Sequence, residues 1–524
     1  MTYAVFFPEA VLVASAMLIL VLGLYVKKRS AILWVIALVS VLIAMISTLD
    51  MMGVSLTHAL GLNLYSSPIT PADGDYASQF KLHVDLFALF FHMVFLGVTL
   101  LVVIASKGFI SKEEPHQAEY YSLMFLAVAG MMFVAAATDL IVLYIAFELS
   151  GLCTFALTAF RKKDKKASEA SMKFFIIGAI SSAIILFGIS LIYGVTGSTS
   201  IGATMDLAGI NKSLTNNVTV MEPPLIVAIV FLLAGFGFKV AVVPFHMWAP
   251  DVYEGAPTTI TAFLAAGSKK VGIVALFKVF LIALLVVQAD WVIAIAMLAI
   301  VTQTVANFIA ISQKSVKRML AYSSIAHAGY ILIAVAVGSL MGTTSLGQPD
   351  YSGKLAVAEY GLTGGLYHVL THAIMTVGAF IIVAAAATAK IGDTYDDYKG
   401  LAKRMPFMAI GMVIILLSLA GIPPLGGFFS KLVLFSSAVS AGSYNVWFIA
   451  LAVSGVLNSA LSLYYYARLI WNMYILEPEK KEIPKVSASM TFAVAVTVFL
   501  IVIVGLAAQP FISFVQQAAR GFFS

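Results

Sequence analysis

Apolar runs of about 20 residues recur along the whole length of this sequence. Wound as an α-helix, a run of that length crosses the roughly 30 Å hydrocarbon core of a bilayer, whereas a membrane β-strand needs only about ten alternating residues. Of the 524 residues, 61% are hydrophobic and only 11% are charged, which excludes a water-soluble globule. The chain is therefore predicted to be an all-α integral membrane protein.

Fourteen runs are long enough to span a membrane as helices. The runs at 224–248 and 406–438 contain glycine and proline, which mark breaks in a membrane helix. The first run lacks the basic start and the cleavage site of a signal peptide, so we interpret it as a retained helix. The predicted spans are 4–26, 31–49, 84–105, 120–137, 139–160, 172–194, 224–248, 258–281, 290–311, 319–340, 362–388, 406–438, 446–474 and 488–508.

Basic residues are distributed unevenly between these runs. Of the 31 Lys and Arg residues, twenty follow odd-numbered runs and four follow even-numbered runs. Because positively charged loops stay on the cytoplasmic side, we expect a multi-pass protein of the cell membrane with both termini outside and the basic loops in the cytoplasm. The net charge of +6 then reflects topology, since no basic stripe interleaved with aromatic residues predicts nucleic-acid binding.

A carboxylate, Glu148, lies near the centre of the run at 139–160. It is about twelve residues from the basic loop that begins at Arg161, and so some 18 Å deep at about 1.5 Å per residue. A lone carboxylate there is protonated and a lone lysine is neutral, whereas a Glu–Lys pair keeps both charged. Lys239, in the interrupted run at 224–248, is a partner of matching depth. Separating such a pair releases a proton towards the next site.

Other cations also lie inside the apolar runs. Each costs on the order of 3 kcal/mol at the bilayer centre, so an ion pathway is the default interpretation of several together. Lys431 repeats the arrangement of Lys239, with Leu-Ala-Gly, an interruption and then a lysine, which indicates an internal duplication. Two of the set, Lys278 and Arg468, are interpreted as snorkelling to an interface. The remaining cations inside the runs are Lys173, Lys269, Lys270 and Lys431.

Histidines extend this series of titratable groups. His327 lies about nine residues beyond a basic edge, near mid-membrane, and its titration range suits a proton relay. His368 and His372 are four residues apart and therefore lie on one helix face. No HExxH pattern and no nearby carboxylate or cysteine completes a zinc site around them, so no metal is predicted. His246 is interpreted as stabilising the helix break or lining an entrance.

The sequence resembles the N-type antiporter-like membrane subunits of the respiratory complex I family over about residues 120–440. The resemblance implies fourteen helices with two inverted five-helix repeats, each containing a broken helix. It divides the chain into N-terminal transmembrane helices (1–119), a first repeat (120–285), a second repeat (286–475) and a C-terminal transmembrane helix (476–524). It is carried by DLIVLYIAFELSGL, ASMKFFIIGAISSAIILFG, FKVAVVPFHMWAPDVYEGAPTTITAFLAAGSKK, VKRMLAYSSIAHAGY and LSLAGIPPLGGFFSKL.

The resemblance also implies a proton channel with assigned residues. Residues 367–383 depart from the N-type pattern, with Met375 and Thr376 where relatives usually have a lysine, which indicates a divergent, archaeal-like branch. This departure leaves the roles of His368 and His372 open, and the role of Lys270 is open because it adjoins Lys269 without a family counterpart. The residues that match the family's proton path are Glu148 and Lys239 as a switching pair, Lys173 on the neighbouring helix, Lys269 as the central lysine, His327 as a relay and Lys431 as the terminal lysine.

The function implied by the resemblance is proton translocation driven by electron transfer in partner subunits. The chain would be a non-redox subunit of a quinone (or quinone-like) oxidoreductase, because it has no dinucleotide motif and a single cysteine, Cys153. No cofactor is expected in this chain, and flavin, iron–sulfur clusters and quinone are expected in partner subunits. The expected partners are other membrane-arm subunits, including antiporter-like homologues and small helical subunits, within the lipid bilayer.

Two alternatives stay open at this point. One is a subunit of a multisubunit cation/proton antiporter, and the other is a structural membrane subunit whose buried charges specify packing without a channel. The electron donor of the implied complex is NADH, ferredoxin or a deazaflavin. The sequence also leaves open the acceptor, the choice between protons and sodium, and the direction of each half-channel.

Overall fold

A computed structural model describes residues 4–26, 31–53, 81–110, 116–202, 209–217, 223–343, 351–478 and 483–523. Within these ranges the chain is almost entirely helical, and β-pairing is limited to isolated bridges in the segments between helices. The helices are α1 (Phe7–Tyr25), α2 (Ala31–Met51), α3 (Leu86–Phe109), α4 (Gln117–Ala136), α5 (Leu140–Thr158), α6 (Lys165–Thr196), α7 (Gly209–Asn217), α8 (Pro223–Val240), α9 (Trp248–Gly255), α10 (Thr258–Ala283), α11 (Gln288–Ser312), α12 (Val316–Gly338), α13 (Tyr351–Thr388), α14 (Leu401–Arg404), α15 (Pro406–Ala420), α16 (Gly426–Ala441), α17 (Val446–Tyr474), α18 (Ala488–Leu506) and α19 (Ala508–Phe523).

Thirteen helices of the described residues are long and apolar enough to cross a membrane. Two further apolar helices, α15 and α16, are too short to cross alone and lie on either side of a break. Counted as one interrupted span, they bring the total to the fourteen predicted from the sequence. The all-α membrane architecture is therefore confirmed, while the inverted repeats and the proposed division into four units stay predictions.

Both helix breaks occur where the glycine and proline residues predicted them. Helix α8 ends at Val240, and α9 begins only at Trp248, whose indole Nε1 donates a hydrogen bond of 2.8 Å to the carbonyl of Phe238. Helix α15 ends before Gly421, which adopts a φ of 89° that a side chain would disfavour. Each break leaves backbone carbonyls at the end of a half helix, and these need polar partners inside the membrane.

Three helices form the interior of the chain. The most apolar stretches of α10, α12 and α13 are 100%, 94% and 89% buried, whereas that of α6 is 33% buried. Helix α10 contains two π-helical turns, Leu264–Ser268 immediately before Lys269 and Val279–Ala283 immediately after Lys278. Since a π turn changes the rotation of the residues that follow it, regular helical spacing cannot give the directions of these lysines.

Three elements differ from the predicted spans. Helix α6 begins at Lys165 and α13 at Tyr351, several residues before the predicted starts at 172 and 362. The amphipathic helix α19 was not predicted, because only one face of it is apolar and no full hydrophobic run marks it. Its buried residues include Val515 and Phe522, and it packs on α3 and α13. The last span therefore does not end the helical structure of the chain.

Candidate functional site

Five lysines are buried among the helices, and most of them have hydrogen-bond partners from another helix. They require compensation, because a cation in the bilayer interior is otherwise strongly destabilising. Relative to full exposure, their accessible fractions are between 2% and 4%. The buried lysines are Lys239 on α8, Lys269, Lys270 and Lys278 on α10, and Lys431 on α16.

Lys270 begins a line of polar groups through the interior. Its Nζ lies 2.6 Å from Nδ1 of His372 on α13. The His372 ring packs against the ring of His327 on α12, with centroids 4.7 Å apart. Nδ1 of His327 lies 2.9 Å from Nε2 of His368, one turn before His372. Three imidazoles from two helices therefore continue from the lysine without an intervening apolar side chain.

The same line reaches the second broken helix. Nδ1 of His368 lies 3.0 Å from Oγ of Ser430 on α16, and Thr371 donates a 3.0 Å hydrogen bond to the same oxygen. Ser430 directly precedes Lys431 in the sequence. We call the series Lys270, His372, His327, His368 and Ser430 the histidine line.

Lys269 points to a different neighbour from Lys270. Its Nζ donates hydrogen bonds of 2.9 Å to the carbonyl and 3.3 Å to the hydroxyl of Ser324 on α12. Adjacent helical residues project about 100° apart, which explains why one lysine meets α12 and the other α13. Lys269 stays the predicted central lysine, and Lys270, whose role the sequence left open, is the one that contacts a histidine.

Lys431 satisfies the break between α15 and α16. Its Nζ donates to the carbonyls of Leu419 at 2.7 Å and Ala420 at 3.2 Å, and to the hydroxyl of Ser459 on α17 at 2.8 Å. These carbonyls form the negative end of the α15 dipole, where a cation is stabilised. The lysine therefore uses all three ammonium hydrogens while remaining close to the histidine line.

Glu148 and Lys239, the predicted switching pair, lie within electrostatic range of each other. In the described residues, however, they do not form a direct ion pair. The Glu148 carboxylate accepts a hydrogen bond from Ser182 on α6. The Lys239 ammonium lies 5.4 Å from the ring centroid of Phe147. The two groups are therefore separate, with Glu148 hydrogen-bonded to Ser182 and Lys239 placed over an aromatic ring.

Gly272 on α10 allows the end of α8, which carries Lys239, to pack close to the central lysines. A Cβ on Gly272 would lie 2.6 Å from Cγ2 of Val240 and 3.2 Å from Cβ of Lys239. The missing side chain therefore lets the end of α8 pack directly against α10. Gly272 is three residues after Lys269, so the contact places the Lys239 backbone one turn from the centre.

Lys173 lies outside this buried set, in a network of ion pairs around α9. Its Nζ is 2.9 Å from a carboxylate oxygen of Asp251, and Arg318 approaches the other oxygen at 2.8 Å. Arg318 also pairs with Glu254 at 3.0 Å. Burial alone would raise the pKa of Asp251, but the hydrogen bonds from Lys173 and Arg318 outweigh it and hold that pKa below its ordinary value.

A cavity of 240 Å³ adjoins this network. Its charged lining residues include Glu254, Lys317 and Asp393. The Asp393 carboxylate accepts a hydrogen bond from Ser315, and burial raises the pKa of Asp393 above its ordinary value. The cavity therefore forms a charged recess beside the first turn of α12.

Lys278 and Arg468 differ in environment, although both were interpreted as snorkelling. Lys278 is buried and donates a 3.0 Å hydrogen bond to the carbonyl of Ala137 at the end of α4, so it is not an exposed snorkelling side chain. Arg468 is exposed, with its guanidinium 4.5 Å from the ring centroid of Tyr395. The snorkelling interpretation therefore fits only Arg468.

Sequence reasoning missed a buried acid and base near the N-terminus. Oε1 of Glu9 on α1 lies 3.5 Å from Nε2 of His92 on α3, and both side chains are inaccessible. The early position of Glu9 in its span gave no sign of burial, because an interfacial carboxylate there is ordinary. Among the described residues no group of three His, Cys, Asp or Glu side chains is placed to hold a metal.

Residues 137–347 and 352–457 match the family described as NADH:quinone oxidoreductase/Mrp antiporter, TM. The F(420)H(2) dehydrogenase subunit N of Methanosarcina mazei is 43% identical, covering 98% of this chain and 97% of its own length. The NADH-quinone oxidoreductase subunit N of Trichlorobacter lovleyi is 36% identical, covering 98% of this chain and 96% of its own length.

A chain of respiratory complex I from Thermus thermophilus has a TM-score of 0.74 at 26% identity, covering 97% of this chain and 99% of its own length. A chain of the Mrp complex from Dietzia sp. shares the fold, with a TM-score of 0.74 at 20% identity, covering 100% of this chain and 97% of its own length. The chain thus belongs to the family of NADH:quinone oxidoreductase and Mrp antiporter membrane subunits, with N subunits among its relatives.

Proposed function

We propose that this chain is a proton-translocating membrane-arm subunit of a complex I-type quinone (or quinone-like) oxidoreductase. The observation that carries the proposal is the histidine line, which joins α10, α12, α13 and α16 through Lys270, His372, His327, His368 and Ser430. An imidazole accepts a proton on one nitrogen and releases one from the other, so neighbouring imidazoles suit a relay. His327 and His368 are hydrogen-bonded, whereas His372 and His327 are in ring contact, so a bridging water completes that step. A purely structural interior would fill this volume more favourably with apolar side chains.

The line begins at one lysine, Lys270, and ends at Ser430 beside another, Lys431, and the two lysines have different settings. At one end Lys269 and Lys270 are adjacent on α10, and two neighbouring ammonium charges repel strongly in a medium of low dielectric constant. An additional proton is therefore passed on to His372. At the other end Lys431 is held by the carbonyls of α15, which stabilise its charged form. This asymmetry allows a proton to be loaded near α10 and held near α16.

The Glu148–Lys239 pair supplies the control step in this proposal. Two unit charges at 4 Å attract by about 4 kcal/mol at an effective dielectric constant near 20. Closing the pair favours a charged Lys239, and separating it, as observed, favours release of the lysine proton. Glu148 is only half-buried and α6 is largely exposed, so a neighbouring subunit has access to the carboxylate.

Electron transfer is assigned to partner subunits. Moving one proton against 100 mV requires about 2.3 kcal/mol, which this chain receives as a conformational or charge change from antiporter-like and small helical neighbours. The 43% identity to a F(420)H(2) dehydrogenase subunit favours F(420)H(2) over NADH as the donor of the assembly. The cofactors, flavin, iron–sulfur clusters and quinone, belong to those partners. Both termini are assigned to the outer side and the basic loops to the cytoplasm.

The test uses the whole complex, reconstituted in vesicles, with electron transfer and proton uptake measured together. His327→Gln retains a polar side chain but cannot carry a proton, so translocation per electron should fall by on the order of tenfold. The control is His116→Gln, at a half-exposed histidine paired with Glu119. Unchanged translocation in the His327 variant would contradict the proposal, and failed assembly of it and of Lys270→Met would support a packing role.

A cation/proton antiporter is the second candidate, because the matched family includes Mrp antiporters. It predicts sodium-dependent proton movement by the assembly in the absence of any electron donor. The proposed function predicts no such movement and full sensitivity to quinone-site inhibitors. Measuring proton uptake with sodium replaced by choline separates the two.

A further inference from the structure

A second polar network leaves the site through α11, α12 and α17. Oγ of Ser323 lies 2.5 Å from the hydroxyl of Tyr466, and Ser323 directly precedes Ser324, which accepts from Lys269. The ring centroids of Tyr465 and Tyr466 are 4.5 Å apart, and both rings are inaccessible. These contacts bring a pair of buried phenols to the residue next to the one that holds the central lysine.

The same network reaches Lys431. The Tyr465 hydroxyl donates a 2.8 Å hydrogen bond to Oδ1 of Asn307, whose Nδ2 lies 3.2 Å from Oδ1 of Asn458. Asn458 precedes Ser459, which accepts from the Lys431 ammonium at 2.8 Å. Nδ2 of Asn307 is also 3.4 Å from the hydroxyl of Tyr330, above whose ring Lys431 lies. The network thus touches both lysines without using the histidine line.

A further buried phenol lies in the loop between α13 and α14, near the network. Tyr395 in this loop is 4% exposed, and its hydroxyl has no hydrogen-bond partner among the described residues. It lies within electrostatic range of Tyr466, and the exposed Arg468 covers its ring at 4.5 Å. Burial raises the pKa of Tyr395, so its hydroxyl stays protonated and is able to donate as well as accept.

We propose that Tyr395, Tyr466 and Ser323 form an access route for protons between Lys269 and the membrane face that carries the loop between α13 and α14. This inference rests on the proposed function and adds a second route to it. A hydroxyl passes its own hydrogen to one neighbour while it accepts one from the other, so each hydroxyl is left unchanged and one proton, with its charge, is transferred along the route to a neutral Lys269. The proton finally resides on the amine of Lys269.

The roles within the network differ by chemistry. The hydroxyls of Tyr395, Tyr466 and Ser323 relay protons, with water joining Tyr395 to Tyr466 and Ser323 to Lys269. Asn307 is a positioning residue, because an amide does not exchange its hydrogens in this way but fixes Tyr465 and Tyr330. A packing role would be served equally by phenylalanine at 466, which keeps the ring and lacks only the hydroxyl.

The test replaces Tyr466 with phenylalanine in the complete complex. Translocation per electron should fall about fivefold or more and the solvent deuterium isotope effect on it should rise, since the relay becomes limiting. The control is Tyr464→Phe, on the same helix but 59% exposed, which should leave both unchanged. Wild-type translocation and isotope effect in Tyr466→Phe would overturn the inference.

Ser323→Ala tests the same route if the complex with Tyr466→Phe does not assemble. Ser323→Ala removes the partner hydroxyl, and the double variant should lose no more translocation than the worse single variant. His327→Gln is measured in parallel: if it alone loses translocation, the access route is wrong and the proposed function stands. If translocation is unchanged in His327→Gln and in the Tyr466 and Ser323 variants, both the access route and the proposed function are wrong.

Discussion

Nζ of Lys270 and Nδ1 of His372 lie 2.6 Å apart, although the residues are 102 positions apart in the sequence. In this contact one nitrogen must donate and the other must accept, because two fully protonated cations cannot share a hydrogen bond. The pair therefore holds one mobile proton between α10 and α13. This defines the loading end of the histidine line as a unit of two residues.

The first prediction concerns this unit. Lys270→Met and His372→Gln should each lower proton translocation per electron by on the order of tenfold, because either change removes the shared proton. Since the two groups act together, the double variant should be no worse than the more severe single variant. Vesicle measurements of proton uptake check this, with the exposed Lys162→Met as control. Losses that multiply in the double variant would show independent roles.

The second prediction concerns the hydrogen bond from Ser182 to Glu148, which occupies the carboxylate while Lys239 stays apart. Glu148→Gln removes the charge that attracts Lys239 and should abolish most translocation. Ser182→Ala leaves the charge and frees it to pair with Lys239, so translocation should slow because the pair becomes harder to separate. Ser190→Ala, exposed on the same helix, is the control. Equal effects of the Ser182 and Ser190 changes would contradict this assignment.

The third prediction uses the close contact at Gly272. An added Cβ would lie 2.6 Å from Val240, so Gly272→Ala must push the end of α8 away from α10. Overpacking of this kind typically costs about 1–3 kcal/mol, and it also moves Lys239 away from the central lysines. We expect an assembled complex of lower thermal stability with reduced translocation. Gly97→Ala is the matched control, because a Cβ there meets no atom within 4 Å.

The membrane architecture was predictable because the signals are local. Length and apolarity identify a span, and glycine with proline at Gly421 and Pro244 identifies a break, without knowledge of any neighbour. The depth of Glu148 and Lys239 followed from counting residues, and the structure places them within electrostatic range. Those inferences needed no tertiary contact.

The contacts of the histidine line were not predictable from one sequence. His327 and His368 are 41 positions apart, and nothing local specifies that their helices meet. Which of Lys269 and Lys270 faces α13 depends on the rotation of α10, which the π turn at Leu264–Ser268 changes. Sequence reasoning therefore found the lysines and the histidines as separate candidates, and the structure supplied the order in which they touch.

The last prediction concerns pH and the ion pairs of Asp251 with Lys173 and Arg318. Burial raises the pKa of this carboxyl, but the hydrogen bonds from the two cations more than offset it, and its folded value is lowered. A lowered carboxyl pKa contributes stability above the unfolded value near 3.9, and that contribution is lost as pH falls through the folded value.

Asp251→Asn should therefore lower stability at pH 7 by on the order of 1 kcal/mol, a modest figure because the side chain is about one-third exposed. The difference from the wild type should shrink as pH falls below about 3.9. Thermal unfolding of the detergent-solubilised protein at pH 7 and at a pH below about 3.9 measures this difference in stability. The exposed Asp290→Asn is the control. A deficit that stays constant between pH 7 and acid would assign the effect to packing around α9, since only an ionised Asp251 carries the pH dependence.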